Sequence, residues 1–302
     1  MSLSLNKIRE VIRSALRPPA AFVRRLLTPA VPPRRFKWHT VLAGPIAGNE
    51  LLLPEGTEIA ELISSGAYEK SVVSVVQALV GSDDVCFDIG AHYGYYTLLL
   101  AKCAGSGQVH TFEPVAAHAD RIRQDVNRQA YRHVTVHELA VAGGDGEMVL
   151  RLAEDPEADD SMAYLEQYGG VVTPASLEQY ARFSSVRVKA VALDSMQDLI
   201  ALPKFIKIDA EGAEVSIIQG ALNMISRARP RMLVELHGVY EALACMAMLR
   251  QLNYVAVVFN ERKVNMPVFL IHQDDHVALD TIAKVSGQQS TVLFGEAPCQ
   301  GD

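Results

Sequence analysis

The sequence predicts an α/β fold, a mostly parallel sheet covered by helices on both faces. Three observations predict it. From residue 84 onward, short apolar runs of strand length alternate with longer segments of helical periodicity, the pattern of βαβ units. Several of the apolar runs end on a glycine or an acid, as strands do where their carboxyl ends face a crevice. The 302 residues are 49% hydrophobic but only 7% aromatic, with one Trp, which implies an aliphatic core.

The elements follow in order. Residues 1–37 hold nine basic groups and one acid, Glu10, for a charge of +8; the whole chain carries −7, so the remainder carries −15. Leu5, Ile8, Ile12 and Leu16 recur at helical spacing up to Pro18-Pro19, so this arm reads as a basic amphipathic helix. It suits either docking to a membrane face or partner, or packing on its own domain or a dimer mate. Pro29, Pro32 and Pro33 mark a linker, which bounds a first segment at 1–40. In the next segment, 41–80, Thr40–Leu42 and Leu51–Leu53 flank two turn-prone pairs and predict a hairpin. Residues 57–80 then predict one helix with an apolar valine face.

The main domain spans 81–295. Asp84–Ile89, Gln108–Glu113 and His133–Leu139 predict strands, separated by helices at Tyr95–Cys103 and Ala116–Gln129. Residues 143–185 read as a long acidic insert of irregular structure, suited to a lid or substrate element. Beyond it come strands at Val186–Val191, Lys204–Asp209, Arg231–Leu236 and Tyr254–Phe259, with helices at Val215–Arg227 and Tyr240–Leu252. No apolar run approaches the ~18 residues that span a bilayer. Cys86, Cys103, Cys245 and Cys299 form no close-spaced pair, which suits a reducing compartment. No signal-peptide pattern opens the chain, so a cytoplasmic protein is expected. The acidic body disfavours nucleic-acid partners.

Four groups of residues carry chemistry. Asp88-Ile-Gly90-Ala-His-Tyr-Gly94 joins a strand to a helix through a glycine turn. Its D-x-G-x-x-x-G spacing differs from the dinucleotide fingerprint, and the acid suits a cationic ligand such as a sulfonium better than a pyrophosphate. Glu113 ends the next strand, 23 residues past Gly90, where an acid reaches ribose hydroxyls. Lys207-Ile-Asp209-Ala-Glu211-Gly212-Ala-Glu214 places four charges at the end of an apolar strand, with Lys207 and Asp209 on one side by its two-residue period. Glu235 and His237 lie two apart at the end of the following strand. Asp209, Glu211, Glu235 and His237 are expected to converge on one rim.

With those residues in view, DIGAHYGYYT, FEP, KIDAEGAE and ELH, in this order and spacing, resemble the FkbM family of S-adenosylmethionine-dependent methyltransferases. The resemblance covers about residues 66–260 and starts at Gly66-Ala-Tyr68-Glu69, similar to a G-x-Y-E segment of that family. It implies a Rossmann-like class I methyltransferase fold with a mostly parallel seven-stranded sheet, and S-adenosylmethionine as cofactor. By resemblance, Asp88, Gly90, Ala91, Gly94, Tyr95 and Thr97 belong to the cofactor site, with Glu69 beside them. Glu113 and Pro114 would lie at the ribose, and Glu138, Leu139 and Ala140 near adenine. Lys207, Asp209 and Glu211 would lie beside the reactive methyl. His92 also falls in this set and departs from the family, which usually has Asn there. Segments 1–40 and 143–185 lie outside the resemblance.

The implied reaction is O-methylation of a hydroxyl on a small molecule, sugar or glycan. An alcohol is a weak nucleophile, so a base must take its proton during attack. His237 is the candidate base, with Asp209 or Glu211 as orienting partner or alternative and Lys207 keeping them ionised. Asp209, Glu235 and His237 also form a candidate site for Mg²⁺ or a transition ion. Two other readings stand beside this one: a non-catalytic module that docks a partner through the basic arm, and an NAD-dependent oxidoreductase. A homo-oligomer is compatible with the sequence.

Overall fold

In the computed structural model, residues 35–153, 163–165, 183–259, 266–287 and 290–293 are described. The basic arm up to residue 34, part of the 143–185 insert and Cys299 lie outside them.

The chain opens with an antiparallel hairpin, β1 (Phe36–Thr40) and β2 (Glu50–Pro54), close to the expected pair but with its first strand earlier. The expected single helix over 57–80 is two: α1 (Glu58–Ser65) and α2 (Lys70–Leu79). The break is at Gly66, which adopts φ 74 as the cap of α1. A Cβ there would stand 2.4 Å from the Ala43 carbonyl oxygen, so the chain turns at the residue that tolerates both demands.

The main sheet begins with β3 (Val85–Ile89), α3 (Tyr95–Ala104), β4 (Gln108–Phe112), α4 (Ala116–Arg128) and β5 (Val134–His137). A second, four-stranded sheet follows, from β6 (Ala140–Val141), β7 (Gly146–Ala153), β8 (Ala163–Leu165) and β9 (Phe183–Val191), in the order β6-β9-β7-β8. The insert expected to be irregular therefore contains paired strands, with Gly146–Ala153 antiparallel to Phe183–Ala190. The chain returns through α5 (Leu193–Met196), β10 (Phe205–Ile208), α6 (Glu214–Gln219), α7 (Leu222–Ala228), β11 (Arg231–Leu236) and α8 (Val239–Gln251). It closes with β12 (Tyr254–Phe259), β13 (Met266–His272), α9 (His276–Ser286) and β14 (Ser290–Leu293). The helix expected over 215–227 divides at Gly220, where a Cβ would lie 2.2 Å from the Ala142 carbonyl oxygen.

The main sheet runs β14-β12-β13-β11-β10-β3-β4-β5. Pairings between β5, β4, β3, β10 and β11 are all parallel, and those of β13 and β14 antiparallel. The expected α/β architecture holds, with eight strands in place of seven: β14 extends the far edge beside β12. Each face packs a separate core, and the strands feed them alternately. Cys86, Phe205 and Leu233 pack with α2 and α3, whereas Phe87, Ile206 and Val234 pack with α6 and α8. Asp88 and Lys207 sit opposite each other in register, two residues beyond Cys86 and Phe205, so both fall on the α2/α3 face. The strand order reverses between β3 and β10, and a crevice at the carboxyl ends is expected there. The hairpin is tied to α4 by Leu52 N–H, which donates to Asp125 Oδ1 at 2.9 Å, and by Arg128 with Glu50 at 2.6 Å. Among the described residues no helix is long and apolar enough to cross a membrane.

Candidate active site

A cleft opens at the reversal point, between the carboxyl ends of β3, β4 and β10. Its floor is the contact between two strand ends. Gly90 has φ 74, and a Cβ on it would fall 1.8 Å from the Asp209 carbonyl oxygen, so only glycine fits. Asp209 N–H donates to Ile89 O at 3.0 Å across the same junction.

One end of the cleft is organised by Glu113. Its carboxylate accepts the backbone N–H groups of His92 and Val115, each at 2.9 Å, and lies 3.5 Å from His118 Nδ1. Burial works to raise its pKa, but the His118 side chain and the two amides outweigh it and hold the group below the usual range. His92 takes φ 49, and its bond to Glu113 fixes that left-handed turn.

The floor is braced from below. Asp88 is fully buried; its carboxylate accepts Thr97 Oγ1–H at 2.6 Å and stands 3.6 Å from Lys207 Nζ. The buried Lys207 ammonium also donates to Gly90 O at 2.9 Å and lies 3.3 Å from Asp209 Oδ2. Burial opposes its charge, but Asp209, Asp88 and Glu235 raise its pKa and keep it an ammonium.

The other end is the turn after β10. Glu211 takes φ 47 and Gly212 φ 96, which curls the chain back on itself. Fully buried Glu214 holds that curl through Oε1, which accepts Ala210 N–H at 3.3 Å and Gly212 N–H at 3.1 Å. The same oxygen takes His237 Nδ1–H at 2.9 Å. His237 Nε2 then faces Asp209 Oδ1 and Glu211 Oε2, each 3.6 Å away, with no hydrogen bond of its own. Negative charge is in excess here. Burial and then the neighbouring acids, Asp209 first for Glu235, push Glu211 and Glu235 up to about 7. His237 is raised to about 9: burial opposes its charge, but the bond to Glu214 and the charges of Glu211, Glu214 and Asp209 prevail.

Of the residues expected at the cofactor, Gly90, His92, Glu113, Pro114, Leu139, Ala140 and Asp209 line the cleft. Glu69, Asp88, Ala91, Gly94, Tyr95, Thr97 and Glu138 do not. Asp88 Oδ2 accepts Thr97 Oγ1–H in the core while its Oδ1 faces Lys207 without a hydrogen bond, and Tyr96 O–H donates to Glu69 at 2.5 Å. Ala91 and Tyr95 are buried in the α2/α3 core, and Gly94 backs onto Ile122. Glu138 is 47% exposed and turns 3.5 Å toward Arg123. The expected metal trio of Asp209, Glu235 and His237 is corrected in one member. The donor groups that come within 4.8 Å of one another are Asp209, Glu211 and His237. The strand β11 ends at Leu236, so the alternation that would align Glu235 with His237 stops before it reaches the imidazole. Ile89, Phe112, His118, Val141, Leu150 and Ala213 also line the cleft and escaped the sequence reading. Strand-end position flags the first two; Leu150 comes from the unanticipated second sheet.

The arrangement is thus a cleft with a buried acid at one end and an acidic corner at the other. The chain is similar to an FkbM methyltransferase from Methylobacillus flagellatus KT at 14% identity and a TM-score of 0.45, over 64% of this chain and 47% of that one. It therefore spans about half the length of that protein. It is also similar to a SAM-dependent O-methyltransferase from Thermotoga maritima (11% identity, TM-score 0.42, 74% of each chain). An O-methyltransferase from Bacillus cereus in complex with SAH matches at 15% identity and a TM-score of 0.38, over 67% of this chain and 80% of that one. No curated protein matches the sequence. The model of the methyltransferase FkbM domain matches residues 88–256, which run from the acid under the glycine turn through the His237 corner and into β12; by that match over more than half its length, the chain belongs to the FkbM family of methyltransferases.

Proposed function

We propose that the protein methylates a hydroxyl oxygen of a small-molecule or carbohydrate acceptor, with S-adenosylmethionine as methyl donor. The observation that carries this reading is that Glu113, Asp209 and Glu211 line one cleft, with His237, which does not itself line it, 3.6 Å from the two acids of the corner. Bound S-adenosylmethionine supplies an electrophilic methyl group. The residues fit it: Glu113 offers carboxylate oxygens for ribose hydroxyls, and the excess of acids favours a cationic ligand.

Lys207 and the Gly90–Asp209 contact hold the floor rigid, so the acceptor oxygen meets a preset position, and orientation supplies much of the rate gain. The acceptor loses its proton to the corner. Asp209 and Glu211 place carboxylate oxygens together there to accept it, with His237, held by Glu214, beside them. The test is a thermal shift with S-adenosylhomocysteine and with NAD, followed by incubation with ¹³C-methyl donor and fractionated extract. A shift with the former alone and a product methyl resonance in the methoxy region are expected. A shift with NAD alone, or a methyl on nitrogen, overturns the reading.

A further inference from the structure

We propose that Asp209, Glu211 and His237 bind a divalent cation of the Mn²⁺ or Zn²⁺ kind at the edge of the cleft. The role of this ion in catalysis rests on the methyl-transfer reading; its binding does not. Three independent features meet at the site.

The spacing comes first. His237 Nε2 is 3.6 Å from an oxygen of Asp209 and 3.6 Å from an oxygen of Glu211. That is beyond a hydrogen bond. Two donors bound to one ion at about 2.0–2.2 Å, at octahedral to tetrahedral angles, stand roughly 2.8–3.6 Å apart. Both separations from His237 fall at the upper end of that range, and all three donors lie within 4.8 Å of one another.

The second feature is the imidazole. The His237 side chain is 8% exposed, and Nε2 has no hydrogen-bond partner although it points at two carboxylates. A buried polar atom without a direct partner is completed by a proton, a water or an ion, and here two acid oxygens at 3.6 Å leave room for an ion.

The third is the support behind the donors. His237 Nδ1 is bound at 2.9 Å by Glu214, which is fully buried and fixed by two backbone amides. This is the carboxylate–histidine arrangement that sets the tautomer and ring angle of metal ligands. Lys207 occupies the far oxygen of Asp209, Oδ2, and leaves Oδ1 toward the imidazole. Two carboxylates with one imidazole suit ions between the hard and the borderline, and three protein ligands leave positions open. An acceptor hydroxyl on such a position would be polarised and give up its proton more readily.

The experiment titrates Mn²⁺ alone into the full chain after chelator treatment, with free Mn²⁺ read by its solution EPR signal. One site per chain is expected. His237→Gln and Glu211→Gln should each weaken it by about 10–100-fold, whereas Glu235→Gln should change it less than about 3-fold. Absence of a saturable site at low-millimolar Mn²⁺, wild-type affinity in both ligand variants, or a loss confined to the Glu235 variant would each overturn the proposal. Thermal shifts with S-adenosylhomocysteine, recorded without metal on the same samples, report folding and cofactor binding separately. A cofactor shift without Mn²⁺ binding removes the metal site alone; Mn²⁺ binding without a cofactor shift removes the methyl-transfer reading and leaves the metal site standing.

Discussion

The two ends of the cleft handle negative charge in opposite ways. At Glu113 each carboxylate oxygen has a protein N–H at 2.9 Å, and His118 stands close by, so the acid is held ionised and fixed in place, with lone pairs left to accept from a ligand. At the other end Asp209 and Glu211 face His237 Nε2 at 3.6 Å without a hydrogen bond between them and it, and the acids outnumber the cations. The first end is preorganised by the chain's own amides. The second is completed only by what it binds. An acid fixed by amides holds a shape and presents its remaining lone pairs in a set direction, whereas a group of acids short of partners draws in a cation.

Breaking the His237 end should have the largest effect. His237→Ala should slow methyl transfer by roughly 10²–10⁴-fold if the corner takes the acceptor's proton. The shift with S-adenosylhomocysteine should survive, and an equal loss of that shift would show that the ring only supports the fold. Breaking the Glu113 end should act on binding. Glu113→Ala frees the His92 and Val115 amides and should weaken S-adenosylhomocysteine by about 10–100-fold in calorimetry, at about 1.5–3 kcal/mol per charge-assisted bond. Unchanged affinity would contradict the comparison.

A third acid sharpens it from a distance. Asp125, buried under the hairpin, has one oxygen bonded to Leu52 N–H and the other without a partner, and burial raises it to about 7. Its folded pKa exceeds its unfolded value of 3.8, so the folded state is favoured at low pH and loses stability as pH rises through about 7. Asp125→Asn should flatten that decline and raise Tm at pH 8 by about 2–4 °C. A steeper decline in the variant would refute the assignment.

Much of this was legible because strand ends announce themselves. Apolar runs closing on Ile89-Gly90, Phe112-Glu113 and Ile208-Asp209 located three of the points that meet in the cleft. The direction of each acid was not legible. Asp88 and Asp209 both sit at strand ends, yet Asp88 lies opposite Lys207 in register and is sealed in the core, while Asp209 lies one step beyond the strand and reaches the cleft. Glu214 hides for a different reason: its partner His237 lies 23 residues away on another loop, a distance no local period spans. Strand β13 carries Pro267, a residue that argues against a strand inside a sheet, yet it pairs on both sides, and the proline falls outside its pairing with β12. The second sheet was masked by the acidic run beside it, although Met148, Leu150 and Leu152 alternate as strand residues do.

The contact between Gly90 and the Asp209 carbonyl has one more consequence. With no room for even a methyl group between them, the glycine turn and the turn after β10 cannot slide past one another. Lys207 rivets the same joint from beneath, so the two ends of the cleft keep a fixed separation. The floor is thus the part of the cleft with least room to move, a gauge block beneath whatever it holds.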